Sequence, residues 1–224
     1  MQKCKIMLAA LAIAAFNAQA AELKVIGSII PGACDITLGN GGIVDFGAQS
    51  KTVTMALAQI VGHYAPASKS LPFTLTCSAP TPLAISVADN KSTTLSLLGD
   101  STDPYRYGLG LTGSSKIGAY TIGHTDFLIV KTAGGAVEVP AGLLARPIAS
   151  AATAPFAIAG LDAIYFGPSN ALAFSGDRAS LVPIALVGVK GNLVIQPLYN
   201  KDVIDKSNTE IKLDGSATIS VNYL

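Results

Sequence analysis

Chemistry at neutral pH leans on histidine, and His63 and His124 are the only two in this chain of 224 residues. Serines stand in "GSSKIG" and "FSGD", but neither lies in the G-x-S-x-G elbow that exposes a nucleophile, so a serine triad has no anchor. Asp100, Asp103, Asp126 and Asp162 are scattered through loop-like sequence. A glycosidase needs two carboxyls held across one bond, and nothing in this spacing pairs them. The cysteines and histidines do not cluster at ligand spacing, so no metal site is expected. "GLGLTG", Gly108 to Gly113, matches G-x-G-x-x-G letter by letter. That motif binds a pyrophosphate only where it opens a helix, and the following "SSKIGAYTIG" reads as another strand. Asn90-Lys91-Ser92 fits a glycosylation sequon, a pattern short enough to arise by chance. With no Trp and 6% aromatic residues, a sugar-stacking platform would rest on Tyr64, Tyr105, Tyr107, Tyr120 or Tyr165, which a β protein absorbs into its sheets. No catalytic residue, cofactor or metal is expected, and the chain reads as a non-enzyme.

The elements that would position any site begin after a leader. In "MQKCKIMLAALAIAAFNAQA", Lys3 and Lys5 precede an apolar run from Ile6 to Phe16, and Ala18-Gln19-Ala20 offers a small-x-small cleavage site. This is a secretory signal peptide over residues 1–20, its run too short to span a bilayer. The formal charge of +1 includes the two leader lysines, which leaves −1 on the mature chain. Nothing there attracts nucleic acid, and no membrane insertion is expected after cleavage.

Cys4 leaves with the leader, so an exported chain keeps Cys34 and Cys77. In an oxidising compartment these are expected to form one disulfide, tying the first strand to the strand that ends at Cys77. Its loop of 43 residues makes it worth about 4 kcal/mol in the chain-entropy model.

Short runs rich in Val, Ile, Leu and Thr alternate with Gly, Pro, Asn and Asp clusters, the pattern of an all-β protein. Strands are expected at Leu23–Ile30, Ile43–Phe46, Leu71–Cys77, Leu83–Ala88, Tyr107–Leu111, Ala119–Ile122, Phe127–Lys131, Leu181–Val189, Asn192–Gln196 and Gly215–Tyr223. "IASAATAPFAIAGLDAI", Ile148 to Ile164, is the best helical candidate, but Pro155 interrupts it, and a loop or short helix is expected. One domain, residues 31–224, follows an extension over residues 21–30.

The two ends of the chain pose a problem of pairing. In "ATISVNYL", Ala217, Ile219, Val221 and Tyr223 fall on one face and Thr218, Ser220 and Asn222 on the other, and the sequence then stops at Leu224. A last strand of this kind must find a neighbour earlier in the chain or on another molecule. At the other end Leu23, Val25 and Ile29 share a face with Gly27, and a glycine inside a strand marks a place where another surface comes close.

With these residues the sequence resembles the structural subunits of chaperone-usher fimbriae, and among them a group of beta-fimbria-like secreted proteins described as a domain of unknown function. Gly27 stands seven residues before Cys34, Phe73-Thr74-Leu75-Thr76-Cys77 matches F-x-L-x-C, and Ala217, Thr218, Val221 and Tyr223 match the family's ending. The resemblance implies an incomplete immunoglobulin-like (pilin-type) sandwich completed by a donated strand. Leu23, Val25, Gly27 and Ile29 would then be the donor residues. Ala217, Ile219, Val221, Tyr223 and Leu224 would form the strand met first by a periplasmic chaperone and then by a neighbouring fimbrial subunit. An outer-membrane usher and export through the periplasm to a cell-surface fimbrium complete the expectation. A fimbrial tip adhesin or a secreted carbohydrate- or protein-binding module is the alternative, with a pocket between residues 99 and 190, and a periplasmic hydrolase ranks below both.

Overall fold

In a computed structural model the described residues are 33–96, 103–131, 138–151, 153–160, 164–176 and 179–224, and all belong to one compact unit. The leader, the expected strand Leu23–Ile30 and with it Leu23, Val25, Gly27 and Ile29, and also Asp100 and Asp162, lie outside them.

Along the chain run β1 (Cys34–Leu38), α1 (Lys51–Met55), β2 (Ala58–Ile60), β3 (His63–Ala65), β4 (Lys69–Asp89), β5 (Arg106–Gly108), β6 (Leu111–Thr112), β7 (Ser115–Lys116) and β8 (Gly118–Val130). They are followed by β9 (Glu138–Pro140), β10 (Gly142–Pro147), β11 (Ala157–Ile158), β12 (Tyr165–Phe166), β13 (Asn170–Ser175), β14 (Ala185–Asn200), α2 (Lys201–Lys206) and β15 (Ala217–Tyr223). The described chain is an all-β sandwich.

Its two layers are joined by β4. The first half of β4 alternates, with Leu71, Phe73, Leu75 and Cys77 buried and Pro72 and Thr76 outward. It lies between β1 and β14, and β14 pairs on with β8. After Ser78 come Pro80 and Pro82, whose missing N–H groups break the ladder and let the strand turn a corner. The second half, Leu83 to Asp89, lies between β15 and β13 in the other layer, where β13 continues to β10 and β11. Both ends of β4 come to the same end of the sandwich. The Asp89 carboxylate accepts the Gly108 N–H at 2.8 Å, and Gly108 pairs with Ala119, which pairs with Leu198 near the end of β14. Phe73, Leu75, Ile85, Ile129, Phe174 and Val189 fill the space between the layers.

Gly118 shows how closely β8 approaches its neighbour β14. Its φ is +155°, and a Cβ there would meet the Leu198 carbonyl oxygen.

Several expected elements are revised. Leu71–Cys77 and Leu83–Ala88 are one bent strand, Ala119–Ile122 and Phe127–Lys131 are both within β8, and Asn192–Gln196 lies with most of Leu181–Val189 in β14. Single Gly or polar residues do not end a strand that is paired on both sides. Tyr107–Leu111 divides between β5 and β6, because Gly110 at φ +96° breaks the extended line. Ile43–Phe46 is extended at Ile43, with φ −91° and ψ 126°, yet belongs to no sheet among the described residues. The helical candidate Ile148–Ile164 forms turns and β11 in its described part, as Pro155 dictates. The two α-helices among the described residues lie elsewhere. Ser50 caps α1 by accepting the Val53 N–H at 3.3 Å, and Asn200 caps α2 through the Asp202 N–H at 3.0 Å.

Candidate functional site, an open apolar groove

β15 pairs with β4 over all seven residues, from Ala217 opposite Asp89 to Tyr223 opposite Leu83. The last strand therefore has one neighbour earlier in its own chain. Its other edge is unpaired among the described residues, and so is the outer edge of β1. A cavity of about 290 Å³ lies on this side of the molecule. Leu38, Val44 and Phe46 line it from the β1 side, Leu193, Ile195 and Ile122 from its floor, and Ala217 and Ile219 from β15.

The lining carries no formal charge. Its one phenol, Tyr120, is held neutral by burial, with the Asp89 carboxylate pushing its pKa the same way. Val44, Phe46 and Leu213 also border a second cleft of about 830 Å³, reached past α1 and residues 207–213. The groove therefore continues beyond the start of β15.

Polar contacts hold the walls. The Lys69 ammonium donates to the Asp45 carbonyl at 2.5 Å and lies 5.4 Å from the Phe46 ring centre, fixing the unpaired segment. At the far end the Lys51 ammonium donates to the Asp205 and Ser207 carbonyls at 2.6 and 3.0 Å, joining α1 to α2. Lys201 donates to the Asp205 carboxylate at 2.6 Å and to the Tyr64 hydroxyl at 2.8 Å, and that hydroxyl donates to Asp205. The Lys201 ammonium and then the Tyr64 hydroxyl hold the Asp205 carboxyl below its usual range. Burial pushes the Tyr199 phenol, on the wall of the second cleft, up to about 12.

Of the residues singled out in the sequence, Cys34 and Cys77 are bonded, with a sulfur–sulfur distance of 2.06 Å, and face each other in the β1–β4 register. Cys34 begins β1, so the bond anchors this strand and not Leu23–Ile30. Ala217, Ile219 and Val221 are half-buried and pack against the core. Tyr223, expected on the same apolar face, is 55% exposed, and its hydroxyl accepts the Cys34 N–H at 3.0 Å. The polar end of the phenol is drawn to the strand opposite rather than into the groove. Leu224 is also exposed, its N–H donating to the Pro82 carbonyl at 3.1 Å. Leu38, Leu193 and Ile195 were not singled out in the sequence as wall residues, since only pairing shows which face of β1 and β14 borders the open side.

The residues that invited catalytic readings are dispersed. His124 stacks on Phe127 and edges Phe166, and Asp103 pairs with Arg106 at 3.0 Å. Asp126 has φ +56° at an irregularity within β8, where the register with β14 shifts. Among the described residues no three His, Cys, Asp or Glu side chains form a group able to hold a metal.

His63 is fully buried, its Nδ1 2.9 Å from the Val61 carbonyl, which makes Nδ1 the N–H. Its Nε2 and the Nη1 of the buried Arg106 have no hydrogen-bond partner. Burial lowers its pKa from 6.5, the Val61 carbonyl opposing and Arg106 reinforcing. The folded protein thus resists a proton that the unfolded chain accepts below about 6.5, so His63 withdraws stability as pH falls from there toward its lowered folded value. Denaturant midpoints measured from about pH 8 to about pH 5 are expected to drop over that lower range, and His63→Gln is expected to flatten the drop. An equally steep drop in the variant would assign it to carboxylates instead.

Fold and groove define a class, an all-β sandwich with one side open between two strand edges. The chain is 32% identical to Protein GltF of Escherichia coli (strain K12), over 96% of this chain and 95% of that protein. Residues 23–106 match the family described as Protein of unknown function (DUF1120), and the chain belongs to one family with GltF.

Proposed function

We propose that the protein is a structural subunit of a surface fimbria, an immunoglobulin-like sandwich completed by a strand donated from another molecule. The observation that carries this reading is the apolar groove between the free edge of β15 and the unpaired Ile43–Phe46 segment. Both borders offer backbone groups to an incoming strand, and the walls between them are apolar. The extension over residues 21–30 is a suitable occupant, since Leu23, Val25 and Ile29 alternate with polar residues apart from Ile26. Burying the three is worth roughly 1.5 to 3 kcal/mol each, besides the backbone ladder. A periplasmic chaperone covers the groove first, an outer-membrane usher passes the subunit on, and the next subunit's extension takes the chaperone's place. The leader routes the chain through the periplasm to the cell surface.

The test is the full chain, beside a variant lacking Ala21–Ile29, run on SDS gels without heating. The full chain is expected to give a ladder of polymers that heating collapses, and the deletion variant none. A deletion variant that folds cooperatively as a monodisperse monomer without a chaperone would show that the sandwich closes itself. That outcome would favour a secreted binding module.

A further inference from the structure

We infer that the two ends of the sandwich form a second, head-to-tail contact between copies of this chain, Ile60 and Val61 on one copy facing Leu181 and Val182 on the next. The inference rests on the donated-strand reading and adds a body-to-body interface to it.

One end of the molecule holds the disulfide. There Ser78 donates its N–H to Ala33 and Leu224 donates to Pro82, which pairs with the first residue of β14, Ala185. Leu181 and Val182 lie just before Ala185, and Val182 is 68% exposed. The opposite end holds α1, α2 and the β2–β3 hairpin, where Lys201 donates its N–H to Gly62. At the hairpin tip Val61 is 53% exposed and Ile60 nearly as much. Val61 has φ +43°, a left-handed conformation that is costly for a β-branched residue and easy for Gly or Asn. The turn thus holds an apolar side chain out to solvent at a conformational cost.

Single exposed apolar residues are ordinary. Strand direction and linker length give these two clusters to one another. The Cys34 N–H bond to the Tyr223 hydroxyl roots the chain's own N-terminal segment at the finish of β15. Laid along its own β15, that segment would run parallel. A segment from another copy can run antiparallel, the better-bonded arrangement. The donor then leaves the groove at the start of β15, at the end that carries the hairpin.

Leu23 to Ile29 is seven residues, matching the seven of β15. Only Ile30, Pro31 and Gly32 remain before Ala33 on the donor's disulfide end. The four steps from Ile29 to Ala33 reach at most about 14 Å. The donor's disulfide end must therefore lie against the acceptor's hairpin end. Unlike faces meet, and the contact repeats along a filament.

The full-length chain is made with Val61→Cys and Val182→Cys together, the mature protein's own two cysteines being bonded to each other. Polymers are treated with a short bismaleimide and boiled in SDS. A ladder that survives boiling is expected from the double variant and from no single variant, and Ile60→Cys with Leu181→Cys is expected to repeat it. An unheated ladder that leaves no boiling-resistant ladder with either pair would overturn the contact while sparing the donated strand. Cross-linked pairs from Val61→Cys alone would also overturn it, since like faces would then meet, as would cross-links only to a different protein. If wild type gives no unheated ladder, the donated-strand reading fails and this contact fails with it.

Discussion

Gly27→Leu is expected to abolish polymer while leaving the subunit at its normal level, whereas Ile219→Asp is expected to remove the subunit itself. The two changes touch opposite halves of the proposed joint. Gly27 belongs to the extension, which on this reading serves the next molecule, so its replacement leaves the sandwich's own contacts untouched. A leucine in place of a hydrogen would overpack the groove by about 1 to 3 kcal/mol or more, and would bar insertion where backbone passes closest. Ile219 is half-buried opposite Val87, on the wall of the cavity and against the main core. A carboxylate there faces apolar walls with no cation to pair it, a cost of several kcal/mol set against a net stability of about 5 to 15. Subunit in the periplasm, read beside polymer on unheated gels, separates the cases. If Gly27→Leu polymerises like wild type, Gly27 is an ordinary strand glycine and the extension is not the donor. If Ile219→Asp keeps normal subunit and normal polymer, the cavity beside β15 is not where the strand enters.

The second large effect belongs to the disulfide. Replacing both Cys34 and Cys77 by Ala is expected to cost about 4 kcal/mol, from the entropy regained by a loop of 43 residues in the unfolded chain. The loss falls on β1, which among the described residues is bonded on one side only and carries Leu38 into the groove wall. It also loosens the Cys34 N–H bond to Tyr223, the link between the two ends of the described chain. Denaturant midpoints with and without reductant, and against the double variant, measure it. Reductant and double variant are expected to shift the midpoint alike and to lower the yield of subunit and polymer together. A midpoint unchanged by reductant would mean that pairing with β4 alone holds β1 in place.

How much of this was legible beforehand depended on whether the cause was local. The disulfide followed from two cysteines read as belonging to an exported chain, and the β class from alternation and turn residues alone. Ala217, Ile219 and Val221 were placed correctly by period 2, because a strand's side chains alternate wherever it lies. The same rule failed at Tyr223, whose hydroxyl had a better partner on β1 than the groove could offer. It half-failed at Ile43–Phe46. The alternation there is real, and Val44 and Phe46 do line the groove, but the segment is no strand without a second backbone. β4 was divided in two because its prolines look like an end, whereas they only bend it, since β14 pairs on either side of the break and β15 takes up the strand from Leu83.

By itself, then, the sequence determined the β class, the covalent tie and the alternating last strand, all properties of residues and their near neighbours. Which edges stay open was decided only by the tertiary structure. An edge is defined by what does not lie beside it, and that depends on β4 turning its corner and on β1 and β15 finishing on the same side of the sandwich. The groove exists because those two edges, far apart along the chain, come to border one apolar space with no third strand between them among the described residues.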